Sequence, residues 1–179
     1  MAKRLTRNDW ISVALDALAD AGLPGVAVEP LAADLGVTKG SFYSHFADRP
    51  ALISAAIDEW RAAQLARLET AETSVELLDV WFDDARLGRV FGSLCAAVDD
   101  VAVRPAMFEV SAARLGRLTQ LLEQQGLSAA EAGRRARVVD AAYVGFWRLV
   151  GAGSLTIDDR KDFAADLVEL CVGGVVEPT

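Results

Sequence analysis

With 179 residues, 53% of them hydrophobic, the chain can build an apolar core without metal or disulfides, and its two cysteines, Cys95 and Cys171, lie far apart. Its longest apolar stretch, Val138 to Val150, is interrupted by Asp140 and Arg148 and is too short to cross a bilayer, so no membrane partner is expected. The formal net charge of -8 weighs against a surface that is basic throughout, as general phosphate binding would favour.

Nearly every segment reads as helix, because Ala and Leu dominate and no period-two alternation is sustained between hairpin turns. Met1 to Arg7 is short and basic, without the apolar run of a secretory signal, which points to a reducing cytoplasm. The first helix is predicted to start at Thr6, where Thr6 and Asp9 suit a variant capping box. It presents Trp10, Ala14, Leu18 and Ala21 at helical spacing and stops at Gly22, with Pro24 beyond. A short helix follows over Val28 to Leu35, with Pro30 tolerated only in its first turn. Gly36 and Val37 then turn the chain into a third helix, Thr38 to His45. Asp48 caps a long fourth helix with Pro50 in its first turn, running to about Leu68. Beyond it, helices are expected near Ser74–Ala85, Arg89–Val98, Arg104–Gln125, Ser128–Gly151 and Asp158–Val172. The second half of the Ser128 helix is apolar nearly all round, the mark of a helix covered on more than one side.

Two short helices joined by a glycine turn form a helix-turn-helix, whose second helix can enter the major groove of DNA. Here Leu31, Leu35, Val37, Phe42 and Phe46 can make a small core, and Ala32 is small where the helices cross. Pointing outward are Thr38, Lys39, Ser41, Tyr43, Ser44 and His45, a donor-rich surface for so short a helix. Residues 1–50 carry five Lys and Arg against six Asp and Glu, nearly neutral, and the cations cluster at the N-terminal arm and around residues 39–49. The acidic remainder would then help to orient docking.

Residues 6–60 resemble the N-terminal domain of the TetR family of repressors. The resemblance rests on Leu-Ala-x-x-Leu-Gly-Val, on Gly-Val-Thr-Lys-Gly-Ser-Phe-Tyr-x-His-Phe, and on Asp-Arg-x-Ala-Leu opening the fourth helix. It implies DNA contacts by Thr38, Lys39, Gly40, Ser41, Tyr43, Ser44, His45 and Arg49, with Gly40 and Ser41 nearest the bases. Two positions depart from the commoner pattern: Ala27 lacks the capping hydroxyl, and Glu29 stands where several relatives carry Arg.

The C-terminal body concentrates large apolar groups. A pocket for an apolar or aromatic effector is expected among Trp81, Phe82, Phe91, Cys95, Met107, Phe108, Ser111, Tyr143 and Trp147, as the resemblance implies. Val139, Tyr143, Phe146, Phe163, Leu167 and Leu170 are expected to form a four-helix dimer interface. The sequence has one histidine, no metal-ligand spacing, no catalytic constellation and no phosphate-cradling loop, so neither a cofactor nor an enzyme is expected.

The reading is thus an all-α homodimer: an N-terminal three-helix helix-turn-helix domain over residues 1–49, and a C-terminal helical ligand-binding and dimerisation domain over residues 50–179. Operator DNA and a small-molecule effector are its expected partners. The acidic charge, Ala27 and Glu29 also suit an alternative, a helical ligand-binding or scaffolding protein whose helix-turn-helix no longer reads DNA.

Overall fold

Thr6 opens the first helix, α1 (Arg7–Gly25), by a reciprocal exchange. Its hydroxyl accepts from the Asp9 amide at 3.3 Å, and the Asp9 carboxylate accepts from the Thr6 amide at 2.7 Å. Trp10, Ala14 and Leu18 are buried along one face. At Gly22 the backbone leaves the helix, with φ 65° and ψ -160°, a conformation that side chains resist, and Pro24 sits in the separate turn that follows. This computed structural model describes residues 5–172, so Lys3 and Arg4 of the expected N-terminal arm lie outside the described residues. Arg7 is the first residue of α1, its guanidinium 4.7 Å above the Phe46 ring.

The helices α2 (Val28–Asp34) and α3 (Lys39–Phe42) are joined through Gly36 at φ 68°, and α4 (Arg49–Leu68) starts at Asp48, whose carboxylate accepts from the Ala51 amide at 2.8 Å. α5 (Ser74–Asp83) and α6 (Ala85–Ala96) are separated by a single residue, Asp84, which caps α6 through the Leu87 amide at 3.0 Å. The predicted gap between Ala85 and Arg89 is therefore helix, because this one capping side chain starts α6 immediately. α7 (Arg104–Gln124) and α8 (Ala129–Gly151) follow, with the Ser128 hydroxyl accepting from the Glu131 amide. The expected last helix is three pieces: a 3-10 turn (Ile157–Asp159), α9 (Arg160–Leu167) and a π turn (Val168–Val172). The described residues contain no strand, and none of their helices is long and apolar enough to cross a membrane.

α4 packs against α1 on one side and α7 on the other, while α6 lies between α1 and α8. The N-terminal helices therefore share one continuous core with the rest. Trp60 of α4 reaches across, its indole N–H donating to the Leu87 carbonyl at 3.1 Å. Contact between α6 and α8 depends on Gly88: a Cβ there would stand 1.9 Å from the Trp147 ring.

Candidate functional site

The α2–α3 unit is held from below. Leu31, Ala32, Phe42 and Phe46 are buried, Phe42 meets Trp10 edge-on at 5.4 Å, and the Phe42 and Phe46 rings stack at 5.8 Å. These anchors fix which side of the Thr38–Phe46 segment faces solvent. Thr38, Lys39, Gly40, Tyr43 and Ser44 are exposed, while Ser41 and His45 are half-buried. Tyr43 is 58% exposed, and its ring meets Phe42 in an edge-type contact at 5.2 Å. Thr38 caps α3 by backbone alone, which leaves its hydroxyl without a cap hydrogen bond.

The expected eight-residue recognition helix is shorter than predicted. Only Lys39–Phe42 is α-helical; beyond it the Ser44 and His45 amides donate to Ser41 and Phe42 carbonyls three residues back. The Phe46 amide again reaches four residues back, to the Phe42 carbonyl at 3.0 Å, and its side chain is buried.

Two contacts were not foreseen from sequence. Lys39 pairs with Glu29 of α2 at 2.6 Å, with both side chains at the surface. The hydrogen bond to Lys39 holds the Glu29 carboxyl below its ordinary range and raises the Lys39 ammonium above its own. Opposite charges near the starts of two helices are visible in the sequence, but their meeting depends on the crossing angle. Arg49 is engaged as well: its guanidinium donates to the Val26 carbonyl at 2.5 Å and to the Leu23 carbonyl. Arg49 thus forms a strap that ties the end of α1 to the start of α4. Ala27 begins α2 without a side-chain cap, as its methyl group requires.

The sequence of this segment matches a known family. Residues 11–56 fit the family model for bacterial regulatory proteins of the tetR family. The N-terminal domain belongs to the tetR family. No curated protein matches the sequence at a significant level. Among solved structures, a transcriptional regulator from Rhodococcus sp. Rha1 is 18% identical, with a TM-score of 0.76 over 97% of this chain and 100% of that one. A TetR transcriptional regulator from Legionella pneumophila is 16% identical, with a TM-score of 0.76 over 96% and 100% of the two chains. A transcriptional regulator from Saccharomonospora viridis, solved in complex with choline, is 17% identical, with a TM-score of 0.69 over 92% and 95%. The all-α fold of the chain is thus that of these solved regulators, with the tetR-family match confined to residues 11–56.

In the C-terminal body several of the expected pocket residues form an aromatic cluster. Tyr143 lies at its centre, 4.9 Å from Phe91, 5.1 Å from Phe82 and 5.5 Å from Trp81. Trp147 and Met107 are buried beside the cluster or near it, and Cys95 and Ser111 are half-buried. Phe108 departs from expectation. It is 76% exposed on the outer side of α7, so it cannot line an interior pocket of this chain.

Arg114 of α7 is 1% exposed, and its guanidinium sits 4.3 Å from the Tyr143 ring and 4.4 Å from Phe91. Its Nε and Nη2 donate to Asp140 at 3.1 and 2.7 Å, while Nη1 has no hydrogen-bond acceptor. Burial pushes the Tyr143 phenol up, and pushes the Cys95 thiol up to about 11.

The expected dimer residues are also relocated. Val139, Tyr143, Phe146 and Leu167 are buried in the protomer's own core, and Phe163 packs at a tilt against Phe146, 5.0 Å between ring centres. The side of α8 that carries Val139, Tyr143 and Phe146 is covered by the chain's other helices. Of the six, Leu170 is the one left exposed, at 80%; Val138 and Leu149, which were not singled out, are exposed as well.

Proposed function

We propose that the chain acts as a homodimeric, ligand-responsive transcriptional regulator, a repressor released from a palindromic operator by a small apolar or aromatic effector. Each protomer places its Thr38–His45 segment in a major groove, with half-sites about one turn, roughly 34–36 Å, or a multiple of it apart. The observation that supports this most is the division of that segment: Phe42 and Phe46 are locked inward, while Thr38, Lys39 and Tyr43 are left at the surface with donors to offer. Gly40 adds to it. A Cβ there would meet nothing closer than the Thr38 hydroxyl at 3.6 Å, so the fold itself does not require glycine at this exposed position.

Residues 1–49 serve as the reading head and 50–179 as the effector and dimer body. The effector enters the cluster of Trp81, Phe91 and Tyr143 by parting their rings, and the free Nη1 of Arg114 gives it one hydrogen bond. It shifts the population of head spacings only by its unequal affinity for the two arrangements. The dimer face is the outward side of α8 with Val138 and Leu149, continued by Leu170.

Replacing Lys39 and Tyr43 with Ala tests the docking. Each lost phosphate contact is expected to lower affinity on every sequence and to reduce the slope of log K against log salt by about 0.9. An unchanged slope and affinity would favour the alternative of a helix-turn-helix that does not read DNA.

A further inference from the structure

α1 is fastened along α6 by two ion pairs, Asp16 to Arg86 at 2.7 Å and Asp20 to Arg89 at 2.9 Å. Two residues after Asp20 the positive φ of Gly22 turns the chain aside, so α1 stops short of the second half of α6. The space left there is a groove of about 890 Å³ between the end of α1, the second half of α6 and the last turns of α8. Its volume falls within the range of small-molecule sites, roughly 300–1,000 Å³. Gly92, Ser93 and Ala96 line the α6 side, Trp147 and Arg148 the α8 side, and Pro24 the end. The α6 wall stays low for a physical reason: a Cβ on Gly92 would stand 3.0 Å from the Trp147 carbonyl oxygen.

The charges around the groove do not cancel. Asp20 and Arg89 neutralise each other at one rim. Arg148 is exposed at the other, and among the described residues its guanidinium has neither an ion-pair nor a hydrogen-bond partner. We infer that this groove is a second small-molecule site, distinct from the aromatic cluster, and that it takes a small organic anion with an apolar body. The carboxylate or equivalent group pairs with Arg148, where a bidentate fork is available. The apolar part lies over the small residues of α6 and against Pro24. The neighbouring Leu23 carbonyl is the one that Arg49 holds, so an occupant touches the same strap that sets the reading head on α4.

The test uses the full chain and 2-naphthoate as probe, with uncharged 2-naphthamide as its match, followed by calorimetry. Naphthoate is expected to saturate one site per chain and the amide to bind more weakly. Arg148→Gln should weaken naphthoate about tenfold or more, the scale of a lost charge-assisted hydrogen bond. Ala96→Trp fills the groove from an exposed position and should abolish binding with the melting temperature unchanged. Lack of saturable binding in the wild-type chain overturns the inference, as does binding indifferent to both variants. Binding that survives Ala96→Trp but is lost in Arg114→Met places the probe in the aromatic cluster and overturns it too. Operator binding measured without naphthoate reports separately on the DNA-reading role.

Discussion

Replacing Gly40 with Ala is expected to strengthen the fold while weakening the hold on DNA, and the two signs can be measured apart. The residue is exposed and helical, its φ is not positive, and an added Cβ meets only the Thr38 hydroxyl at 3.6 Å, an ordinary contact. Ala therefore fits, and the loss of glycine's unfolded-state freedom should add about 0.5–1 kcal/mol. For a chain of this size that raises Tm by roughly 1–4 °C. On DNA the same methyl group occupies space next to the base edges. Forfeiting one good base contact costs about 1–3 kcal/mol, or roughly 5- to 150-fold in affinity. Thermal melts and fluorescence anisotropy on an operator fragment give the two numbers. Unchanged operator affinity would refute the placement of Gly40 at the interface. A fall in Tm would refute the account of its surroundings.

Glu29→Gln should free Lys39 from its 2.6 Å partner and remove a negative charge from the DNA-facing side. Operator affinity is then expected to rise several-fold and the salt slope to steepen by about one unit, both read by anisotropy between low and moderate salt; no change in either would show that the pair does not compete with phosphate. Asp140→Ala leaves the Arg114 guanidinium buried without its carboxylate, so urea melts should show a loss of about 3–5 kcal/mol, largely recovered in the double variant Arg114→Met, Asp140→Leu. Equal losses in the single and double variants would contradict that cause. The Cys95 thiol ionises at about 11 rather than 9.0 because it is buried, so its alkylation at pH 8, followed peptide by peptide, should be about a hundredfold slower folded than unfolded. The unfolded thiol releases its proton first, so this group also lowers stability as pH rises from about 9 towards 11.

The ends of the helices were the most legible feature of the sequence. Thr6, Asp48 and Ser128 start helices in the structure as their side chains dictate, and Gly22 and Gly36 turn the chain at positive φ, because a cap or a left-handed turn is decided within a few residues. The helix-turn-helix was legible for the same reason, as Phe42 and Phe46 can only face inward over so short a span. What sequence alone did not show are the relations between distant segments. The Glu29–Lys39 pair, the Arg49 strap and the Asp16–Arg86 and Asp20–Arg89 pairs depend on how helices cross. The composition of α8 was read as a face waiting for a partner, yet Val139 and Phe146 are covered within the protomer. An apolar pattern reports that a residue will be buried and does not say by what. Phe108 shows the converse, a large apolar side chain that the chain leaves in solvent.

The central claim is that the Thr38–His45 surface reads DNA as one half of a symmetric pair. Selection from a pool of random duplexes, with the full chain as bait, tests it most directly. The account predicts enrichment of an inverted repeat whose halves lie about one helical turn, or a multiple of it, apart, and loss of that enrichment with Lys39→Ala, Tyr43→Ala. Failure to enrich any sequence, or enrichment that survives the double substitution, would contradict it.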